Sequence, residues 1–281
     1  MTFPNGPLPP FYARALPGHS LFTRVNSALA PTCIQVYKPP PEGPALRDGT
    51  NAAIRIDSFE PARSVGNRLY ARLYDEILTG QLRPGQALSE TRLAAQHGIS
   101  RTPVREVFQR LIKDGLLRVV PQIGSFVAPI NLAAVADSQF IREALECHAV
   151  ARAAERATET QVRSLQRQLA QQRRRVTVGD QIGFFALDEA MHRGILAIAG
   201  HPSVWELIAS VKAQLDRVRH LSLEDRDWLA MIFAQHEEIV AHIAAHDGTA
   251  ASRAMQQHLR TVFAAIDRIA ETHAEFFEET A

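Results

Sequence analysis

Between residues 67 and 128 the chain is cut by Gly80, Pro84-Gly85, Gly98, Gly115 and the run PQIG at 121–124 into short pieces, each with its own apolar face. Glycine and proline at these spacings stop helices and strands, so this stretch can hold only small elements packed on one another. Leu69, Leu73, Ile77 and Leu78 recur at helical spacing and predict a first helix from Asn67 that ends at Gly80. A second helix follows Ser89, a residue suited to accept a hydrogen bond at a helix start, with Leu93 and Ala94 inward. After Gly98 a third helix starts near Ser100 or Thr102. Pro103 is tolerated in its first turn, and Val104, Val107, Phe108, Leu111 and Ile112 form its inward face. Apolar runs at 116–120 and 125–128 flank the PQIG turn and predict a β-hairpin.

Three helices followed by a hairpin make a winged helix-turn-helix, with the third helix in the recognition position and the hairpin as the wing. Net charge is only +1, so an affinity for nucleic acid must come from a local basic patch rather than a global field. Arg101 and Arg105 supply that patch at the start of the third helix, where a recognition helix enters the major groove. The arginine fork matches O6 and N7 of guanine together. The alternative is a solvated helix end carrying ordinary arginines.

The segment from 88 to 117, with ISRTPVRE at its centre, resembles the DNA-binding domain of the GntR family of bacterial transcription regulators. The family's S-R-T-P-V-R-E segment is matched in full at 100–106. The resemblance implies DNA contact by Arg101 and Arg105, with Ser100 and Thr102 in the same segment, and a wing tip at Gly124 near the minor groove. Two features depart from the family. A basic residue common in the second helix is Thr91 here, with Arg92 beside it as the basic contact. The wing lacks the basic residues often found just before its glycine.

From about Leu132 onward the patterning is helical without a strand signal. Helices are expected at 134–156, 159–175, 180–198, 202–222, 225–245 and 248–275, enough for an antiparallel all-α bundle. The fold class is therefore mainly α: an N-terminal winged helix-turn-helix and a C-terminal helical bundle. The expected domains are 65–130 for DNA binding and 131–275 for effector binding and dimerisation. Eleven of the sixteen prolines lie before Arg63, a density that defeats a packed core, so 1–64 is read as a largely extended or disordered tail. It is either a functional arm or the product of a start site set too far upstream.

The bundle's polar residues fall in unexpected places. Asp188 and His192 lie one turn apart on the face of Phe184, Leu187, Met191 and Ile195. His236 sits at the centre of the arc of Trp228, Leu229, Ile232, Phe233, Ile239 and Val240. His258 lies at the edge of the face of Met255, Leu259, Val262 and Ile266. An unpaired buried carboxylate is costly. A divalent metal would stabilise all four groups, and imidazole with carboxylate suits Zn, Ni, Mn or Fe. The alternative is a set of hydrogen-bonded core histidines. His148 also points inward and either lines a pocket or merely caps the core, whereas His220 and His242 face away from their apolar arcs.

This arrangement resembles the FCD effector domain of the FadR-type branch of the same family. Its D-x-x-x-H pair matches Asp188 and His192, its later histidines match His236 in QHEEIV and His258 in MQQHL, and its R-x-x-L-E element matches Arg142, Leu145 and Glu146. The resemblance implies a metal-containing pocket for a small organic acid that controls DNA affinity, and repression as the usual sense. One recognition helix reads only a few base pairs, so a homodimer on an imperfect inverted-repeat operator is expected. Two arginines are candidates to clamp the acid. Arg142 matches the family element but its helical phase puts it off the apolar face. Arg219 has the better phase, beside Val204, Ile208, Val211 and Leu215. In each case the plainer alternative is a surface salt bridge.

Two other readings compete with ligand-controlled regulation: a metal-dependent hydrolase with an accessory DNA-binding-like domain, and a purely structural metal. No separate base or nucleophile stands out near the cluster, which disfavours the hydrolase. Cys33 and Cys147 fit no disulfide or metal spacing, and no apolar run is long enough to cross a bilayer, so a cytoplasmic, membrane-free protein is expected.

Overall fold

A computed structural model describes residues 65–278. The proline-rich segment 1–64, with His19 and Cys33, lies outside the described residues. Helix α1 (Val65–Leu78) carries Leu69, Leu73, Ile77 and Leu78 inward. Strand β1 (Ala87–Leu88) leads to α2 (Glu90–His97), whose first turn is capped by Ser89 Oγ accepting from the Arg92 amide at 3.3 Å. Gly98 ends α2 at φ 63°, in the left-handed region that favours glycine. Helix α3 (Arg101–Lys113) buries Val104, Val107, Phe108 and Leu111. Ser100 stands at its N-terminal boundary without a side-chain cap bond.

Strands β2 (Leu117–Val120) and β3 (Gly124–Val127) form the expected hairpin, with Leu117 opposite Val127 and Val120 opposite Gly124. The sheet has a third strand that the patterning did not predict. β1 pairs antiparallel with the other edge of β3, giving the order β1-β3-β2. Two residues are too few to show an alternating pattern. What holds them is backbone pairing, Ala87 opposite Phe126 and Leu88 opposite Ser125, extended just before the strand by Gly85 N to Val127 O at 2.9 Å and Val127 N to Gln86 O at 3.0 Å.

The bundle comprises α4 (Leu132–Arg156), α5 (Glu159–Val178), α6 (Gln181–Ile198), α7 (Val204–Val211), α8 (Ala213–Ser222), α9 (Arg226–Ala244) and α10 (Gly248–Thr272). Most starts carry side-chain caps. Thr158 and Gln161 make a reciprocal capping box at α5, and Asn131, Asp180, Asp225 and Asp247 cap α4, α6, α9 and α10. One expectation fails. The single helix expected over 202–222 is two, broken at Lys212 (φ −95°, ψ 3°). The apolar pattern runs through the break because the Lys212 ammonium is itself drawn inward, to Glu189 at 2.6 Å and to Asp216. Periodicity alone does not register such a joint.

Two parts of the described chain share one compact unit, and α8 and the C-terminal residues join them. Ala213 of α8 belongs to the core formed by α1, α3 and the wing strands. The short 3-10 turn Ala274–Phe276 returns the chain to residues 129–131. There Ile130 N donates to Phe276 O at 2.7 Å, and Ile130 bridges Phe277 in parallel. The Phe276 ring packs against Gly80 and Leu221. The backbone at Gly80 has φ +71°, which favours glycine, and a Cβ there would stand 3.3 Å from that ring and need it to give by a few tenths of an ångström.

Phe276 thus plugs a three-way junction. Phe276→Ala should cost about 3–5 kcal/mol, the usual range for truncating a buried phenylalanine. Urea titration of the full chain measures it, and a loss below about 1 kcal/mol would mean that the junction does not depend on this ring.

Candidate functional site

The first turn of α3 and its surroundings present a basic, solvent-facing surface. Arg92, Ser100, Arg101, Thr102, Arg105 and Gly124 are all exposed. The side chains of Arg101 and Arg105 keep 61% and 64% of their accessibility, enough to reach a partner without unfolding anything. Glu90 Oε2 lies 3.8 Å from Arg101 and 3.5 Å from Arg105. Exposed pairs of this kind are weak and break readily for a phosphate or base. Gly124 closes the wing turn at φ 147°, and Gln122 beside it adopts φ 64°.

Inside the bundle, Asp188, His192, His236 and His258 converge, with one ligand atom of each within 4.8 Å of all the others. All four are buried, including His258, which the patterning put at the edge of its face. Helix α6 supplies Asp188 and His192 from successive turns, α9 supplies His236 and α10 supplies His258. Each imidazole is oriented from behind. His192 Nδ1 is bonded to Glu146, His236 Nδ1 donates to Gln172 Oε1 at 2.8 Å, and His258 Nδ1 donates to Gln235 Oε1 at 3.1 Å. Such partners place the proton on Nδ1 and turn the Nε2 lone pair to the centre. His192 Nε2 and His258 Nε2 then face each other at 3.2 Å. His236 Nε2 is 3.2 Å from Asp188 Oδ1, yet it is buried without a hydrogen bond of good geometry. Converging lone pairs beside a buried carboxylate repel one another unless a cation lies between them, so the donor set fits a divalent metal. Gln172 and Gln235, which hold two of the rings, went unnoticed in the sequence. Gln172 lies in the polar run QQRRR, where nothing marks it as buried.

The charges around the cluster are unusually well defined. Burial would raise the Asp188 carboxyl, but the Arg219 guanidinium and the two nearest histidines outweigh it and hold it well below the usual range. Burial likewise opposes ionisation of Glu146, and Arg142 with His192 holds it down at about 2. Burial and its histidine neighbours keep His258 far below the ordinary imidazole range, hence neutral.

The three candidate acid-binding residues divide. Arg142 is buried, contrary to its helical phase. Its Nε donates to Glu146 Oε1 at 2.6 Å, so it backs the His192 partner rather than forming a surface salt bridge. The phase failed because α4 packs against neighbours on several sides, and a polar pair can occupy one of them. Arg219 donates to Glu189 at 2.6 Å and Asp216 at 2.9 Å, and also to Asp188, again as a buried ion cluster. His148 is exposed on α4, so the inward placement expected for it is wrong. Arg142, Asp188, Arg219, Trp228, His258 and Thr261 line a narrow cavity of about 40 Å³. His220, expected to face away from its arc, stacks on Phe185 with ring centres 3.9 Å apart.

Comparison with known proteins places these sites in context. Residues 66–127 match the family described as bacterial regulatory proteins, gntR family, and residues 137–261 match the FCD domain. An HTH-type transcriptional regulator from an unstable DNA locus of Streptomyces ambofaciens is 42% identical over 76% of this chain and 89% of its own length. The HTH-type transcriptional repressor RspR of Escherichia coli K12 is 35% identical over 79% of this chain and 97% of its own. Among solved structures, a GntR-type regulator from Rhodococcus sp. RHA1 superposes with a TM-score of 0.61 at 27% identity, covering 72% of this chain and 97% of that one. E. coli McbR/YncC shares the fold, with a TM-score of 0.62 at 24% identity over 73% of this chain and 98% of that one.

The stacked His220 gives the bundle a measurable acid response. Burial, helped by Arg219 and Lys212 and opposed by Glu189 and Asp188, pushes its imidazole down to about 4 from 6.5. Between those values the unfolded chain binds a proton that the folded chain refuses. His220 therefore contributes its full stability above pH 6.5, and that contribution falls as the pH drops to about 4. His220→Phe keeps the ring stack and removes the proton site. Urea titrations near pH 7 and near pH 4.5 should show a smaller acid loss in the variant, and an equal loss would remove His220 from the account.

Proposed function

The chain belongs to the GntR family of DNA-binding transcription regulators with an FCD domain, and we propose that it senses a small organic acid at a metal held by Asp188, His192, His236 and His258. The family and its relatives are regulators, so the hydrolase alternative falls. The observation that carries the proposal is the convergence of three Nε2 atoms on one buried carboxylate, each imidazole fixed from behind by its own acceptor. Zn, Ni, Mn and Fe all suit this donor set. A bound divalent ion would supply a fixed positive charge that attracts a carboxylate.

The cavity wall supplies the rest. Arg142 spends its Nε edge on Glu146 and lines the cavity, which leaves donors for an anion. Arg219 is already shared among three carboxylates and contributes as a second wall residue. Ser222 and Thr261 add hydroxyls for an acid that also carries oxygens elsewhere. His148, being exposed, has no part in this pocket. Calorimetry should show sugar acids or dicarboxylates binding metal-loaded protein and losing most of their affinity after chelation or in Arg142→Ala. His236→Ala should also lower the metal content found by elemental analysis. Equal metal content in His236→Ala and wild type, or an effector indifferent to metal and to Arg142, would sink this pocket.

On the DNA side we assign Arg101 and Arg105 to base and phosphate contact, with Ser100, Thr102, Arg92 and the wing turn at Gly124 flanking them. One short helix reads few base pairs, so the reading includes a homodimer on an inverted-repeat operator. Repression is the sense supported by the similarity to RspR. Arg101→Ala and Arg105→Ala should each cost about 1–3 kcal/mol of operator affinity where the contact is bidentate to a base. The operator is first recovered by selection from genomic fragments and affinity is then read by fluorescence anisotropy. Full affinity in the double variant would show that another surface reads the DNA.

A further inference from the structure

Helix α8 touches both the Asp–His cluster and the DNA-binding part. Gln214, Leu215, Asp216, Arg217 and Val218 are all buried, an unusual load of polar groups for a ten-residue helix. On one side, Gln214 Nε2 donates to Gly115 O at 2.5 Å, just past the end of the recognition helix, while Gln214 Oε1 accepts from Asn131 N at 3.3 Å. Arg217 Nη1 donates to Ala128 O at 2.8 Å, one residue past the wing strand β3. On the other side, Arg219 holds Asp188, Glu189 and Asp216. Gln214 and Arg219 are five residues apart, roughly 7.5 Å along the helix axis. A shift of one end is therefore a shift of the other.

We propose that α8 carries the effector signal, with Gln214 and Arg217 as the positioning residues that convert a change at Arg219 into a change in the pose of the recognition helix. Three observations support a second arrangement of this helix. The break at Lys212 makes α8 a separate helix rather than a continuation of α7. Arg219, Ser222 and Leu223 form part of the cavity wall, and a cavity of about 40 Å³ is too small for an organic acid unless that wall moves. Arg217 is 1% exposed, yet its Nε and Nη2 have no hydrogen-bond partner. An uncompensated buried guanidinium raises the energy of the present packing, so a packing that gives it partners lies close by. An anion that draws Arg219 away from Asp188 and Glu189 would move α8 and strain the bonds to Gly115 and Ala128. That gives two states with different contacts, which coupling between distant sites requires.

Hydrogen exchange on the full chain tests this without a known effector. The probes are the amides of Leu116, bonded to Leu111 O, and Ala128, bonded to Leu116 O. In metal-free protein, Arg219→Gln should speed exchange at both by about fivefold or more, the scale of losing one charge-assisted hydrogen bond. In a Gln214→Ala/Arg217→Lys background the same change should add nothing. Unchanged exchange in Arg219→Gln, or an undiminished effect in that background, overturns the proposal. Where these variants do not fold, Arg219→Lys and Arg217→Lys alone replace them, with the same outcomes. A second arm adds Zn²⁺ alone to wild type and rests on the proposed metal site. A response in α6 and α9 that does not reach Leu116 and Ala128 overturns the coupling. Failure of Zn²⁺ to bind at all counts against the metal site, and the Arg219 comparison then decides the coupling.

Discussion

The ion pair between Asp188 and Arg219 is the contact that the rest of the bundle is arranged to tolerate. A carboxylate buried this deeply costs several kcal/mol unless it is matched by charge and hydrogen bonds. One oxygen is matched by the guanidinium and the other faces His236 and His192. Matching it requires α8 to lie against α6, which requires the joint at Lys212, which places Ala213 in the core of the winged helix. The same pair explains why Glu189, Asp216 and Lys212 are drawn inward: a guanidinium with spare donors in a dry interior needs further acceptors, and those acceptors need a further cation. The cluster is therefore one electrostatic object spread over α6, the joint at Lys212 and α8.

Much of this was legible in the sequence. The small elements of the winged helix follow from their glycine and proline stops, and the four inward polar residues follow from the phases of α6, α9 and α10. Phase works where a helix has one wet and one dry face. It fails on α4 and α8, which are covered on more than one side, so Arg142 seemed to lie outside the core and His148 inside it. It also fails to register the joint at Lys212 and the strand β1, because each depends on partners distant in sequence. Gln172 and Gln235 could not be picked out for a similar reason. An amide that orients an imidazole looks, in sequence, like any polar residue on a helix.

Conformational specificity at the site comes from second partners more than from the four residues themselves. Without Glu146, Gln172 and Gln235 behind them, three imidazoles could each choose either tautomer and several rotations, and the inward lone pairs would be lost to an ensemble. The carboxylate behind His192 differs from the two amides in kind. It adds negative charge to the ring it holds and is itself neutralised by Arg142, which also lines the cavity, so this ring is tied to the cavity wall through an ion pair rather than an amide.

The return of the C-terminal residues to the junction has a consequence for the order of synthesis. Asn131 and Glu278 are hydrogen-bonded although 147 residues separate them. At ordinary ribosomal speeds that gap takes roughly 7–30 s to translate. The winged helix, whose contacts are nearly all local, is complete in sequence as this interval begins, but α8 and the Phe276 plug that seat it come later. A chain cut short before α8 and Phe276 therefore lacks the contacts that seat the winged helix against the bundle.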